Sequence, residues 1–176
     1  MNTNSLPPIT PTEIEVQEIS LLYDLHHFDC GDEDLNEFLK IDSLKYRDQL
    51  IAKTFLVIYK EQVVAFFSVM NDAIKLKLEE TKGTQDLTRL HEYPALKVGR
   101  LGVDKNYQRR GLGKICFNFI LGLARKINDA SACRFITVDS YSGSVSFYER
   151  GGFKRNALHE KKNHFVSMRF DLLQKE

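Results

Sequence analysis

Seven residues, Gln108-Arg109-Arg110-Gly111-Leu112-Gly113-Lys114, place three cations and two glycines side by side. Such a stretch suits a phosphate. Glycine lets backbone approach a ligand closely, and the unpaired N–H groups of a first helical turn point at phosphate oxygens. Arg109, Arg110 and Lys114 add the charge that an anion needs. Two familiar phosphate loops are excluded by the residues themselves. A Walker loop needs Gly-Lys-Ser/Thr, whereas Gly113-Lys114 runs into Ile115. The dinucleotide fingerprint needs a third glycine where Cys116 stands. Other chemistry-bearing residues are dispersed. His26-His27 are adjacent and do not converge on a metal, and His91-Glu92 lacks the second zincin histidine, with Ala95 in its place. His159 and His164 flank a lysine turn and read as a solvated hairpin. Cys30, Cys116 and Cys133 are odd in number and widely spaced, so they read as small buried hydrophobes, with no metal site.

The elements that carry the phosphate-like stretch follow from hydrophobic periodicity. Ala95–Val103 reads as a strand, and Gly111–Ile127 as a helix whose Ile115, Phe119, Leu123 and Ile127 keep i, i+4 spacing. Upstream, 1–12 contains Pro7, Pro8 and Pro11 and reads as a flexible lead-in to a single domain over 13–176. Glu13–Ile19 is a weak edge strand. Asp32-Glu33-Asp34 places acid where a helix begins, and that helix runs to about Leu50. Thr54–Lys60 and Val63–Val69 form a hairpin. Asn71–Pro94 reads as a polar connection with helical pieces near Lys75–Glu80 and Asp86–His91. Phe135–Val138 is a buried strand, Ser142–Arg150 a short helix and Gly151-Gly152 its stop. Phe153–Leu158 and Phe165–Leu172 close the chain around Lys161-Lys162-Asn163. This order predicts an α/β (α+β) domain with a mixed sheet.

Composition narrows the classes further. The chain has 176 residues and is 43% hydrophobic, enough for a core without disulfides or metal. No apolar run approaches the roughly 18 residues of a membrane span, so a cytoplasmic protein is the expectation. Net charge is +1, which argues against a generic nucleic-acid binder. The halves differ, however: 1–88 carry 8 Lys/Arg against 16 Asp/Glu, and 89–176 carry 17 against 8. The basic half contains the phosphate-like stretch.

Gln/Arg-x-x-Gly-x-Gly after a strand, followed later by Phe147-Tyr148-Glu149-Arg150-Gly151-Gly152-Phe153, resembles the two motifs of the GCN5-related N-acetyltransferase (GNAT) superfamily. The resemblance covers roughly Glu13 to Leu172. It implies a mostly antiparallel central sheet flanked by helices and splayed where acetyl-CoA binds. It implies acetyl-CoA as co-substrate, its pyrophosphate on the backbone of Gln108 and Arg109 to Lys114 (Arg110, Gly111, Leu112 and Gly113 between). Leu101, Gly102 and Val103 would face the pantetheine arm, one amide polarising the thioester carbonyl. Tyr148 matches the tyrosine that protonates the departing thiolate; a phenol of pKa about 10 can do so as the C–S bond breaks. Its neighbour Phe147 reads as the core residue of the pair. Tyr141 and Ser144 stand where many members carry other residues, and are assigned to the cofactor with the register of 139–146 open. Gly102 replaces a frequent alanine. An α-amine of pKa about 8 is already partly neutral near pH 7, so water serves as base.

A narrower resemblance rests on Phe28-Asp29-Cys30-Gly31, Leu35-Asn36-Glu37-Phe38-Leu39 and Lys53-Thr54-Phe55. It is similar to the GNAT branch that includes toxins acetylating aminoacyl-tRNA. The acidic first half favours a small amine, peptide or protein acceptor. The alternatives left open are aminoacyl-tRNA with an antitoxin partner, and a non-catalytic CoA-binding regulator. A homodimer is left open as well.

Overall fold

A computed structural model describes residues 6–77, 80, 92–157 and 165–174. Strands β1 (Ile14–Glu18), β2 (Lys53–Tyr59), β3 (Gln62–Lys75), β4 (Glu92–Val103), β5 (Phe135–Tyr141), β6 (Lys154–Arg155) and β7 (Phe165–Asp171) form one mixed sheet, order β1-β2-β3-β4-β5-β7-β6. Helices are α1 (Glu33–Glu37), α2 (Ser43–Asp48), α3 (Leu112–Ile127) and α4 (Val145–Arg150). Strands β1–β2, β2–β3, β5–β7 and β6–β7 pair antiparallel, and β4 runs parallel to β5. The expected mixed sheet is present, with β1 at its edge.

The chain divides into two compact units. The first comprises Met1–Val69 and Gly99–Ile120, the second Met70–Val98 and Leu121–Glu176.

In the first unit, alternation sends consecutive residues of the β2–β3 hairpin to opposite faces. Leu56 and Phe66 pack with Phe28, Leu35, Phe38 and Leu39. Phe55 and Phe67 stack on each other at 5.2 Å and both meet Phe119 of α3. The hairpin turns at Lys60 and Glu61, both at positive φ (49° and 63°), as a two-residue turn matched to strand twist requires. The helix expected to run to Leu50 is interrupted by a π-turn, Phe38–Asp42, between α1 and α2. Its extra residue keeps Phe38, Leu39 and Ser43 all buried, and the Ser43 hydroxyl donates to the Leu39 carbonyl at 2.6 Å.

Three expectations are corrected. The stretch from Asn71 is strand, because β3 continues to Lys75 with Asp72 and Ile74 turned inward and Asn71, Ala73 and Lys75 outward. The polar residues hid the strand by occupying its wet face. Lys75 is thus strand, not helix; the piece placed at Asp86–His91, like the Lys161–Asn163 turn with His159 and His164, lies outside the described residues. On α3 the fully buried stripe is Leu112, Cys116, Ile120 and Ala124, one position off the expected one. Small Cys116 and Ala124 let the helix axis approach the sheet, and the larger residues flank the contact.

In the second unit, four residue pairs from Ala95↔Phe135 to Val98↔Val138 make the parallel ladder. Tyr93 and Phe135 pack edge to face at 5.7 Å beside Ile74 and Ala95. A buried ion pair supplies the polar counterpart. One Arg169 nitrogen, Nη1, reaches Glu80 Oε1 at 2.6 Å and Asn156 Oδ1 at 2.7 Å, and the Ala157 N–H also donates to Glu80. Thr137 donates to Asp72 and Lys97 pairs with Asp139 at 2.6 Å.

Candidate active site

In the first unit the phosphate-like stretch begins where β4 ends. Asp104, 4% exposed, turns the chain. Its N–H donates to the Val64 carbonyl, and its carboxylate accepts the N–H groups of Asn106 and Asp29. Gln108, though exposed, turns back on the chain, its amide donating to the carbonyls of Cys30 (3.0 Å) and Val103 (3.1 Å). Arg109 then adopts φ +61° and Gly111 φ +88° before α3 starts at Leu112. Left-handed residues turn successive N–H groups to one side, the geometry of an anion nest. Only Gly111 adopts that region freely; at Arg109 it costs about 1–2 kcal/mol.

The three cations part company. Arg110 is directed inward: its Nε donates to the Pro7 carbonyl at 3.0 Å, and its guanidinium lies 5.5 and 5.6 Å from the rings of Tyr59 and Tyr107. Arg109 and Lys114 are exposed. The lead-in segment is involved here, because Ile9 is buried and donates its N–H to the Arg110 carbonyl at 2.9 Å. A Thr10–Glu13 capping pair follows it. Leu112 and Gly102 are buried, Leu101, Val103 and Gly113 half-buried. A Cβ on Gly102 would stand 2.7 Å from Phe66 Cε1, so the packing there favours glycine.

The second unit carries the phenol. Val145 and Tyr148, one turn apart, are the buried residues of α4. Tyr148 is 8% exposed, with the rings of Phe147 and Phe153 set edge-on at 5.0 and 5.2 Å. Phe147 is only half-buried, so Tyr148, and not Phe147 as expected, is the more buried of the pair. The helix stops as anticipated: Phe153 N–H returns to the Tyr148 carbonyl and Gly152 takes φ +89°. Ser144, exposed, precedes α4, and Tyr141 ends β5. Tyr141 (38% exposed) and Phe165 (41%) are register partners with ring centroids 4.9 Å apart. Phe165 carried no signal in the sequence, nor did Pro7 and Ile9.

All three cysteines are buried thiols. Burial pushes Cys30 and Cys133 upward and Cys116 up to about 12. Among the described residues no three His, Cys, Asp or Glu are grouped to hold a metal ion, and no helix is long and apolar enough to cross a membrane.

A seven-stranded mixed sheet with this strand-to-helix loop is an acetyltransferase fold. A tyrosine-to-phenylalanine mutant of KacT matches it with TM-score 0.78 and 19% identity over 91% of this chain and 95% of that one. AtaT complexed with acetyl-methionyl-tRNAfMet matches with TM-score 0.78 and 19% identity over 90% and 94%. A mutant AtaT toxin bound to the C-terminus of the antitoxin AtaR and acetyl-CoA matches with TM-score 0.73 and 18% identity over 90% and 93%. The model of the acetyltransferase (GNAT) domain family matches residues 28–172, and the chain belongs to that family.

Proposed function

We propose that acetyl-CoA is the donor and that the protein transfers its acetyl group directly to a primary amine in a ternary complex. The loop carries this reading. Its left-handed Arg109 and Gly111 bare the backbone N–H groups from 109 to 114 to a pyrophosphate, and exposed Arg109 and Lys114 add charge. Gln108 and Arg110 contribute backbone, since their side chains hold Cys30, Val103 and Pro7. Leu101 to Val103 supply the amide facing the thioester, and Tyr141 and Ser144 border the donor.

Acetyl-CoA supplies the activated acyl carbon. The acceptor nitrogen bonds to that carbon, the C–S bond breaks, and the Tyr148 phenol gives its proton to the leaving sulfur. Water takes the proton that the new amide sheds. The aromatic packing around Tyr148 fixes the phenol and excludes competing water. The setting we infer is cytosolic.

The acceptor reading has two branches. Exposed Glu33, Asp34 and Glu37 on α1 favour a cationic small amine, peptide or protein. Aminoacyl-tRNA is the second, supported by the likeness to AtaT in complex with acetyl-methionyl-tRNAfMet. Exposed Tyr141 and Phe165 also suit it, because aromatic faces stack on any base. CoA release, measured with small amines, peptides and charged tRNAs side by side, tests the whole reading. Turnover with charged tRNA alone selects the second branch; no release with any acceptor removes both.

A further inference from the structure

Phe28-Asp29-Cys30-Gly31 and Leu35-Asn36 have had no chemical role so far. The structure places them under the donor loop. We propose that Asp29 and Asn36 are positioning residues for acetyl-CoA, locking the backbone from Val103 to Gln108 so that the N–H groups after it face the pyrophosphate. The proposal rests on the reading of that loop as the donor site.

Four hydrogen bonds cross from residues 29–30 to residues 104–108. Asp29 N–H donates to Asp104 Oδ2 at 3.0 Å. Lys105 N–H donates to the Asp29 carbonyl at 2.8 Å, and Lys105 Nζ to Asp29 Oδ2 at 2.6 Å. Gln108 donates to the Cys30 carbonyl. Asn36 fixes the near side. Its Nδ2 donates to Asp29 Oδ1 at 2.9 Å and its Oδ1 accepts the Cys30 N–H at 3.0 Å. Gly31, at φ +84°, bends back so that its N–H also reaches Asp29 Oδ1. Both carboxylate oxygens are thereby used, and Asn36 must be donor and acceptor at once. Neither task can be done by an apolar residue.

The brace has a physical purpose because the loop it holds is strained. A non-glycine residue at φ +61° persists only where its surroundings over-determine it. Donors held in place beforehand bind an anion without the cost of ordering themselves on arrival. Lys105, Asn36 and the Gly31 N–H together hold the Asp29 carboxyl far below the ordinary carboxylate range, so the brace stays charged at any working pH.

The test uses Asp29→Asn and Asn36→Ala in the full chain, with CoA binding by calorimetry and acetyl-CoA kinetics. Each variant should raise Kd for CoA and KM for acetyl-CoA about tenfold and leave kcat within twofold. Asp29→Asn combined with Lys105→Gln restores a neutral hydrogen bond and should recover most of the loss. Glu80→Gln, in the other unit, should lower the melting temperature with Kd unchanged. Variants that bind CoA like wild type, or that lose kcat in step with melting temperature at constant KM, overturn the brace. Should both variants fail to fold, Gln108→Ala is read on the same two constants. A wild-type protein that does not bind CoA overturns the donor-site reading instead.

Discussion

Polar groups in the first unit are held by many short bonds near the surface, most of them to backbone: Asp29, Asp104 and Gln108 each serve two or more partners. In the second unit the most buried ion pair among the described residues is Glu80 and Arg169, with side chains 11% and 9% exposed. The unit with the 108–114 loop carries 10 Lys/Arg against 13 Asp/Glu, the other 15 against 11. The distributed network can lose one bond without unfolding its unit, and on the proposal above the lesion should show in ligand affinity. The buried pair cannot lose a member without stranding a charge. Position in the fold, more than bond strength, decides whether a lesion reads as function or as stability.

The largest effect expected belongs to neither network. Tyr148→Phe removes the proposed proton donor and keeps the ring packing, so kcat should fall by about 10²–10³ with KM for acetyl-CoA little changed. Steady-state kinetics with any accepted amine decides this, and an unchanged kcat strips Tyr148 of its role.

Next comes Arg169→Met, which leaves Glu80 buried without its cation. A loss of about 3 kcal/mol of stability should follow in urea melts. A loss under 1 kcal/mol would mean that this pair, like the first unit's network, can be broken without unfolding the chain. The wild-type pH dependence should show the same pair. Burial alone would raise the Glu80 carboxyl, but the N–H groups of Lys77 and Ala157 and the Arg169 charge outweigh it, and its pKa is lowered. A lowered folded pKa means stability present above the unfolded value of about 4.5 and lost as pH falls through the folded value. Glu80→Gln should flatten that acid limb.

Smaller again is Gly102→Ala, whose new methyl drives into Phe66 at 2.7 Å. It should cost about 1–3 kcal/mol, and Phe66→Leu in the same chain should return part of it. Smallest is Leu50→Gly. Leu50 closes α2 at φ +57° and is 91% exposed, a conformation glycine adopts freely. A gain of about 0.5–1 kcal/mol is expected, visible as a rise in melting temperature of a few degrees.

Much of this was legible because it is written locally. Gly111 and Gly113 punctuate a strand-to-helix junction, and Phe147 to Phe153 keep family spacing, so the loop, α4 and its stop could be read from neighbours in sequence. What could not be read depends on residues far apart in the chain. That the Gln108 and Arg110 side chains are tied to the protein follows from Cys30 and Pro7, about 80 and 100 residues away. The inner face of α3 was missed because Cys116 and Ala124 are weakly hydrophobic, and closeness of approach chose them over Phe119. The outer half of β3 was missed because Asn71 and Lys75 face water. Tyr148 over Phe147 was decided by the turn from Val145, which a hydrophobicity scale ranks the other way.

Three cysteines shut away from solvent leave the native surface without an accessible thiol among the described residues. A colorimetric disulfide reagent added during turnover should therefore register the CoA sulfhydryl with little background from the enzyme itself. Added instead to resting protein, the same reagent becomes a clock. Cys30 sits inside the brace, its N–H and its Sγ both on Asn36 Oδ1, while Cys116 is fully buried on the inner face of α3. The ratio of their labelling rates would report how often the backbone at 104–108 loosens relative to the whole fold, and saturating acetyl-CoA, which has no free thiol for the reagent to consume, should slow the first more than the second.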